Sequence, residues 1–187
     1  ININSSTSTY NNIFLNTTLN TSQIIFSGTG SDRNLTIQWY FRVRVLNETG
    51  SGIENSFVNV SDKDNLQVFT SNTTSDGLTN MTAITNLYMY PTSRTDFNNH
   101  TVVATTEQYG DQIRTVNITK SMTFDMLFTL PIINYVTLTP TLAYTNDTLY
   151  CTFNATDPDS ATLNMNVKWY KNNINFLNQS VNNYLVG

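Results

Sequence analysis

Cys151 and His100 are the only cysteine and histidine of the chain, and as a pair they could in principle run nucleophilic catalysis, the thiolate attacking while the imidazole carries its proton. A reactive thiolate wants an electropositive, partly exposed setting. Cys151 instead alternates with Leu149, Phe153 and Ala155 along LYCTFNA, which predicts a structural cysteine facing a core. A closed zinc site needs several Cys or His at close spacing, more than two residues can supply. Asp157 and Asp159 flank Pro158 in DPDSAT. Oxygen ligands gathered in a turn suit calcium, so this pair is the candidate metal site; the plainer alternative is that Asp157 caps the turn and Pro158 fixes it. Asp62 and Asp64 are spaced the same way, but Lys63 between them opposes a cation, and they read as a turn. GTGSD at 28–32 begins like a phosphate loop and lacks both the third glycine and the lysine. The chain reads as a non-enzyme without a resident cofactor, calcium being the one open ion.

Asparagine chemistry is the stronger signal. Asn-X-Ser/Thr acceptors for N-linked glycans occur at Asn4, Asn16, Asn20, Asn34, Asn47, Asn59, Asn72, Asn80, Asn99, Asn117, Asn146, Asn154 and Asn178, thirteen in all. Random placement of 28 Asn among 187 residues with 46 Ser plus Thr would give about 7. Charged residues make up only 12%, about half the usual share, so solubility has to come from neutral polar groups, and sugar is one source. Nine basic residues set against 13 acids, for a net charge of −4, make no footprint for a phosphate backbone or an anionic membrane surface. No run of eighteen apolar residues is present to span a bilayer. The first residues, ININSSTST, contain neither an initiator Met nor a signal peptide, as processing or a cut boundary would leave them.

The elements that hold these residues are strands. Thr, Val, Ile, Tyr and Phe abound and Ala is scarce, a mix that suits pleated, half-buried surfaces. TIQWYFRVRV, residues 36 to 45, alternates without fault: Ile37, Trp39, Phe41, Val43 and Val45 on one face, Thr36, Gln38, Tyr40, Arg42 and Arg44 on the other. Further strands are expected over 56–61, 66–71, 78–86, 101–108 and 113–122, separated by the turn clusters SDKDN, TTSDG and EQYGDQ. The expected fold class is all-β, in tandem β-sandwiches. Residues 1–20 form an N-terminal arm or donor strand, 21–124 the first sandwich, 125–135 a stiff apolar junction, and 136–187 a partial second sandwich.

The order GIENSFVNVSDKDN, TTSDGLTN, HTVVATTEQYGDQIRTVNIT resembles the prealbumin-like or carboxypeptidase-regulatory-like modules of secreted and cell-surface proteins. Ser61 to Asn65, Thr74 to Gly77 and Tyr109-Gly110 fall at that family's turns. In the second part, Cys151 is followed eighteen residues later by Trp169, and Leu163, Met165, Val167 and Trp169 alternate with Asn164, Asn166, Lys168 and Tyr170. The run VTLTPTLAYTNDTLYCTFNATDPDSATLNMNVKWYKNN is similar to Ig-like or PKD-like repeats of archaeal cell-surface glycoproteins. That resemblance implies about seven strands where this stretch offers about four, and a disulfide partner for Cys151 outside this chain segment.

The implied role is a secreted, N-glycosylated structural subunit of an extracellular filament, sheath or S-layer, a homo-oligomer or polymer of this chain joined by strand or interface pairing. The alternative is an adhesin or glycan-binding surface module.

Overall fold

The computed structural model describes residues 1–4, 10–29, 33–159 and 162–185. Among these the chain is all-β, with no α-helix and a single 3-10 turn at Thr21–Gln23 capped by the Asn20 side chain. It divides into two compact units, Ile1–Leu127 and Phe128–Gly187.

Unit 1 contains β1 (Asn2–Asn4), β2 (Tyr10–Leu15), β3 (Ile25–Ser27), β4 (Arg33–Leu46), β5 (Phe57–Ser61), β6 (Gln67–Asn72), β7 (Thr82–Met89), β8 (Arg94–Asp96), β9 (His100–Thr106), β10 (Gly110–Val116) and β11 (Met122–Leu127). An antiparallel sheet runs β10-β9-β5-β6. A five-stranded sheet is built on β4, which pairs antiparallel with β7, itself paired with β8. Alternation dictates the core: Leu35, Ile37, Trp39, Phe41, Val43 and Val45 are buried on β4, and Val58, Val60, Val102 and Ala104 on the antiparallel sheet. Phe41 ties the layers together, edge-to-face with Phe69 of β6 at 6.4 Å and stacked with Phe124 of β11 at 6.3 Å. Unit 1 is thus a β-sandwich.

The other edge of β4 is shared. β2 lies parallel to its first half (Tyr10 opposite Arg33, Leu15 opposite Gln38), and β11 lies parallel to its second half (Met122 opposite Phe41, Leu127 opposite Leu46). Where β2 stops and β11 starts, Ser121 Oγ donates to Asn16 Oδ1 at 2.7 Å and accepts the Tyr40 N–H at 2.9 Å. The segment expected as an N-terminal arm or donor strand is paired within its own chain: residues 10–15 fill β4's edge, and β1 pairs with β3. β1 also contacts β4, and the first half of β4 is buried on both faces, Thr36 included, although alternation placed Thr36 outside.

The strand expected over 113–122 is two strands. After β10 the Asn117 side chain accepts the Asn99 N–H at 2.7 Å and Ile118 is fully buried, so the chain turns out of one sheet and re-enters the other as β11. The expected junction 125–135 is split as well, since Asp125, Met126 and Leu127 end β11 in unit 1 and the next strand begins at Ile132 in unit 2.

Unit 2 contains β12 (Ile132–Thr139), β13 (Tyr150–Thr156), β14 (Thr162–Lys171) and β15 (Ile174–Leu185), paired as the antiparallel hairpins β12-β13 and β14-β15. Asn172 and Asn173 both take positive φ between β14 and β15, the conformation a two-residue hairpin turn demands. Leu163, Met165, Val167 and Trp169 are half-buried while Asn164, Asn166, Lys168 and Tyr170 are exposed, the alternation expected from sequence. Phe153 and Tyr184 tie the hairpins, with ring centroids 5.1 Å apart.

Candidate functional site

The acceptor asparagines sit mainly on turns and strand ends. Asn4, Asn16, Asn20, Asn72, Asn80, Asn99, Asn117, Asn146 and Asn178 are exposed, and Asn47, Asn59 and Asn154 are partly so. Asn34 differs: it is 5% exposed on β4, and its amide donates to Asn11 Oδ1 at 2.9 Å. In the folded chain that nitrogen is closed to a sugar.

At six acceptors the two ends of the side-chain amide have separate duties. The Oδ1 of Asn16, Asn20, Asn47, Asn117, Asn154 and Asn178 accepts hydrogen bonds from Ser121, Ser22, Thr49 and Ser51, Asn99, Asn134 and Asn175 respectively. The nitrogen is the atom that carries an N-linked glycan, and none of these bonds uses it. The oxygen is tied into the fold by these bonds, and the nitrogen is in none of them.

The carboxylates of Asp157 and Asp159 are both hydrogen-bonded, the first within the turn and the second to Thr129. Asp157 Oδ1 accepts the Asp159 N–H at 2.9 Å. Asp159 Oδ2 accepts both the backbone N–H and the hydroxyl of Thr129, the latter at 2.8 Å. Among the described residues no group of three or more His, Cys, Asp or Glu side chains could hold a metal ion. Ser160 and Ala161 lie outside the described residues, as do Gly30 to Asp32 of the GTGSD stretch. Cys151 is a free, half-buried thiol on β13. With Ile133, Val136, Phe153, Met165 and Val167 it lines an apolar trough between the two hairpins. His100 belongs to unit 1 and Cys151 to unit 2.

His100 opens β9, is 1% exposed, and among the described residues has no hydrogen-bond partner on either ring nitrogen. It lines a cleft of 520 Å³ in unit 1 together with Asp62, Thr36, Gln38, Thr85, Phe97 and, from the N-terminal strand, Asn11 and Ile13. Asp62 is buried, and its Oδ1 accepts the N–H groups of Asp64 at 2.9 Å and Leu66 at 3.0 Å, the turn read from sequence. Burial pushes the His100 pKa below its ordinary value, partly offset by the nearby Asp62 charge. The folded state therefore binds fewer protons at this site than the unfolded chain. Stability is complete above the ordinary histidine pKa of 6.5 and declines as the pH falls through it. The urea midpoint of unit 1, read by Trp39 fluorescence in a Trp169→Phe background, should drop between pH ~7 and ~5, and His100→Gln should flatten that slope.

No protein-family model matches the chain, and no curated protein is similar to it in sequence. The Asn-X-Ser/Thr triplets and the turn at Asp62 are readable in the sequence, but the cleft, whose walls come from five strands and flanking turns, is not. The one available signal was a lone histidine beside an apolar strand, HTVVA.

Proposed function

We propose that this chain is a structural subunit of an extracellular surface assembly, N-glycosylated and joined to copies of itself by β-strand pairing. One observation carries the reading: the edge of β4 is completed by β2, a six-residue N-terminal strand held by parallel pairing and connected to β4 through residues 16–32. A β2 from a second copy offers β4 the same six partners, so exchange would link subunits without altering the rest of the sheet. Ile13 is 54% exposed on the bound strand, leaving apolar surface for a neighbour. The exposed acceptor asparagines support a glycosylated surface, and the resemblance to archaeal surface repeats supports an extracellular location. Among the described residues no helix is long and apolar enough to cross a membrane.

Electron microscopy of the purified chain tests the polymer, which is expected to be ordered and regular. Deleting residues 1–20 should give folded monomers, and a synthetic peptide of those residues should bind them. Monomers of the intact chain at every concentration, or polymers indifferent to the deletion, would overturn the reading. The native material should weigh more than the bare 21.1 kDa chain. A second reading, a glycan-binding surface module, is favoured by the cleft around His100.

A further inference from the structure

The cleft at His100 contains two features that a merely structural cavity would not keep. The first is an imidazole, 1% exposed, with neither nitrogen satisfied among the described residues. A neutral imidazole presents one donor and one acceptor, and leaving buried polar groups unmet is costly. The second is Asp62, whose Oδ1 is committed to the turn, so that Oδ2 is the oxygen left for whatever enters. Gln38, whose Nε2 donates to Thr85 Oγ1 at 3.2 Å, lines the same cleft.

The chemistry of the walls selects the occupant. Among the described residues no Lys or Arg lines the cleft, which disfavours an anion, and His100 and Asp62 fall short of the three-group cluster a metal ion would take. A hydroxyl both donates and accepts, and so complements imidazole, carboxylate and carboxamide together. Phe97 and Ile84 supply apolar wall for the C–H face of a ring. The volume of 520 Å³ lies within the range of small-molecule sites. We propose that this cleft binds a small neutral polyhydroxylated ligand, a monosaccharide unit, with His100, Asp62 and Gln38 as its polar contacts.

The inference deepens the glycan-binding reading and does not depend on polymer formation. Because Asn11 and Ile13 come from β2, the docked N-terminal strand forms part of the wall, and ligand and strand should stabilise one another.

His100 is the only histidine, so ring-¹⁵N histidine labelling of the full chain gives a spectrum of this site alone. Titration with glucose, galactose, mannose and N-acetylglucosamine should yield a saturable shift of both ring nitrogens for at least one sugar. Asp62→Asn, which keeps the turn-capping oxygen, and Gln38→Met should each weaken that sugar at least tenfold while the backbone spectrum stays folded. Ring signals unmoved by every sugar would overturn the proposal. So would a shift of one nitrogen by Zn²⁺ alone, which would make the cleft a metal site, and so would sugar binding indifferent to both substitutions. Electron microscopy of the same samples separates this failure from failure of the polymer reading.

Discussion

Replacing Phe41 with alanine should destabilise unit 1 by roughly 3–5 kcal/mol, the range for deleting a fully buried ring. Phe41 is 0% exposed and meets rings from two other strands, Phe69 of β6 and Phe124 of β11. Its removal opens a cavity where both sheets and the β4–β11 seam converge, and β strands held in register on both sides cannot easily collapse into it. In a Trp169→Phe background, urea unfolding followed by Trp39 fluorescence should show the midpoint fall. A loss below ~1 kcal/mol would mean that the two sheets do not share this core.

Gly77→Ala should cost roughly 2–4 kcal/mol, from two causes acting together. Gly77 has φ +75, which an L side chain resists by about 1–2 kcal/mol. A Cβ there would also lie 2.2 Å from the Val45 carbonyl oxygen and 2.8 Å from the Gly52 Cα. Neither neighbour is a side chain that can rotate away. Val45 donates its N–H to Gly77 O at 2.8 Å and accepts that of Ile53 at 3.0 Å, so two loops are fastened to β4 where the glycines meet. Gly50 is the internal control: its φ is +80 with nothing within 4 Å of an added Cβ, so Gly50→Ala should cost only about 1 kcal/mol. Equal losses at Gly50 and Gly77 in the same urea assay would refute the close crossing and leave only the backbone angle.

The strand faces were legible in the sequence because alternation is a local property. TIQWYFRVRV told inside from outside for Phe41, Val43 and Val45, and the same rule sorted β14. What alternation does not encode is the neighbour. Parallel pairing of β2 and β11 along one edge of β4 joins segments far apart in sequence, and nothing within YNNIFL or MTFDML marks them as partners of RNLTIQ and FRVRVL. Thr36 was misplaced for the same reason, since it is buried beside a cleft whose other walls come from strands its own does not announce. The site divides similarly. Asn-X-Ser/Thr triplets and the Asp turns are contiguous in sequence and could be read directly, but the burial of Asn34 follows from β2 lying beside it. The orphaned imidazole of His100 becomes visible only when Asp62, Gln38 and Asn11 are brought around it.

β2 and β11 lie end to end on β4 and run in the same direction. Residue 10 enters at the Arg33 end, and the chain leaves unit 1 at the Leu46 end. Tension applied between those two points is directed along the strands, so each ladder is loaded in shear, its backbone bonds sharing the force instead of opening one after another like a zipper. β2 and β11 each hold β4 by six paired residues, and the Asn16–Ser121 hydrogen bond splices one to the other, making one force-bearing line from β2 to the exit of the sandwich.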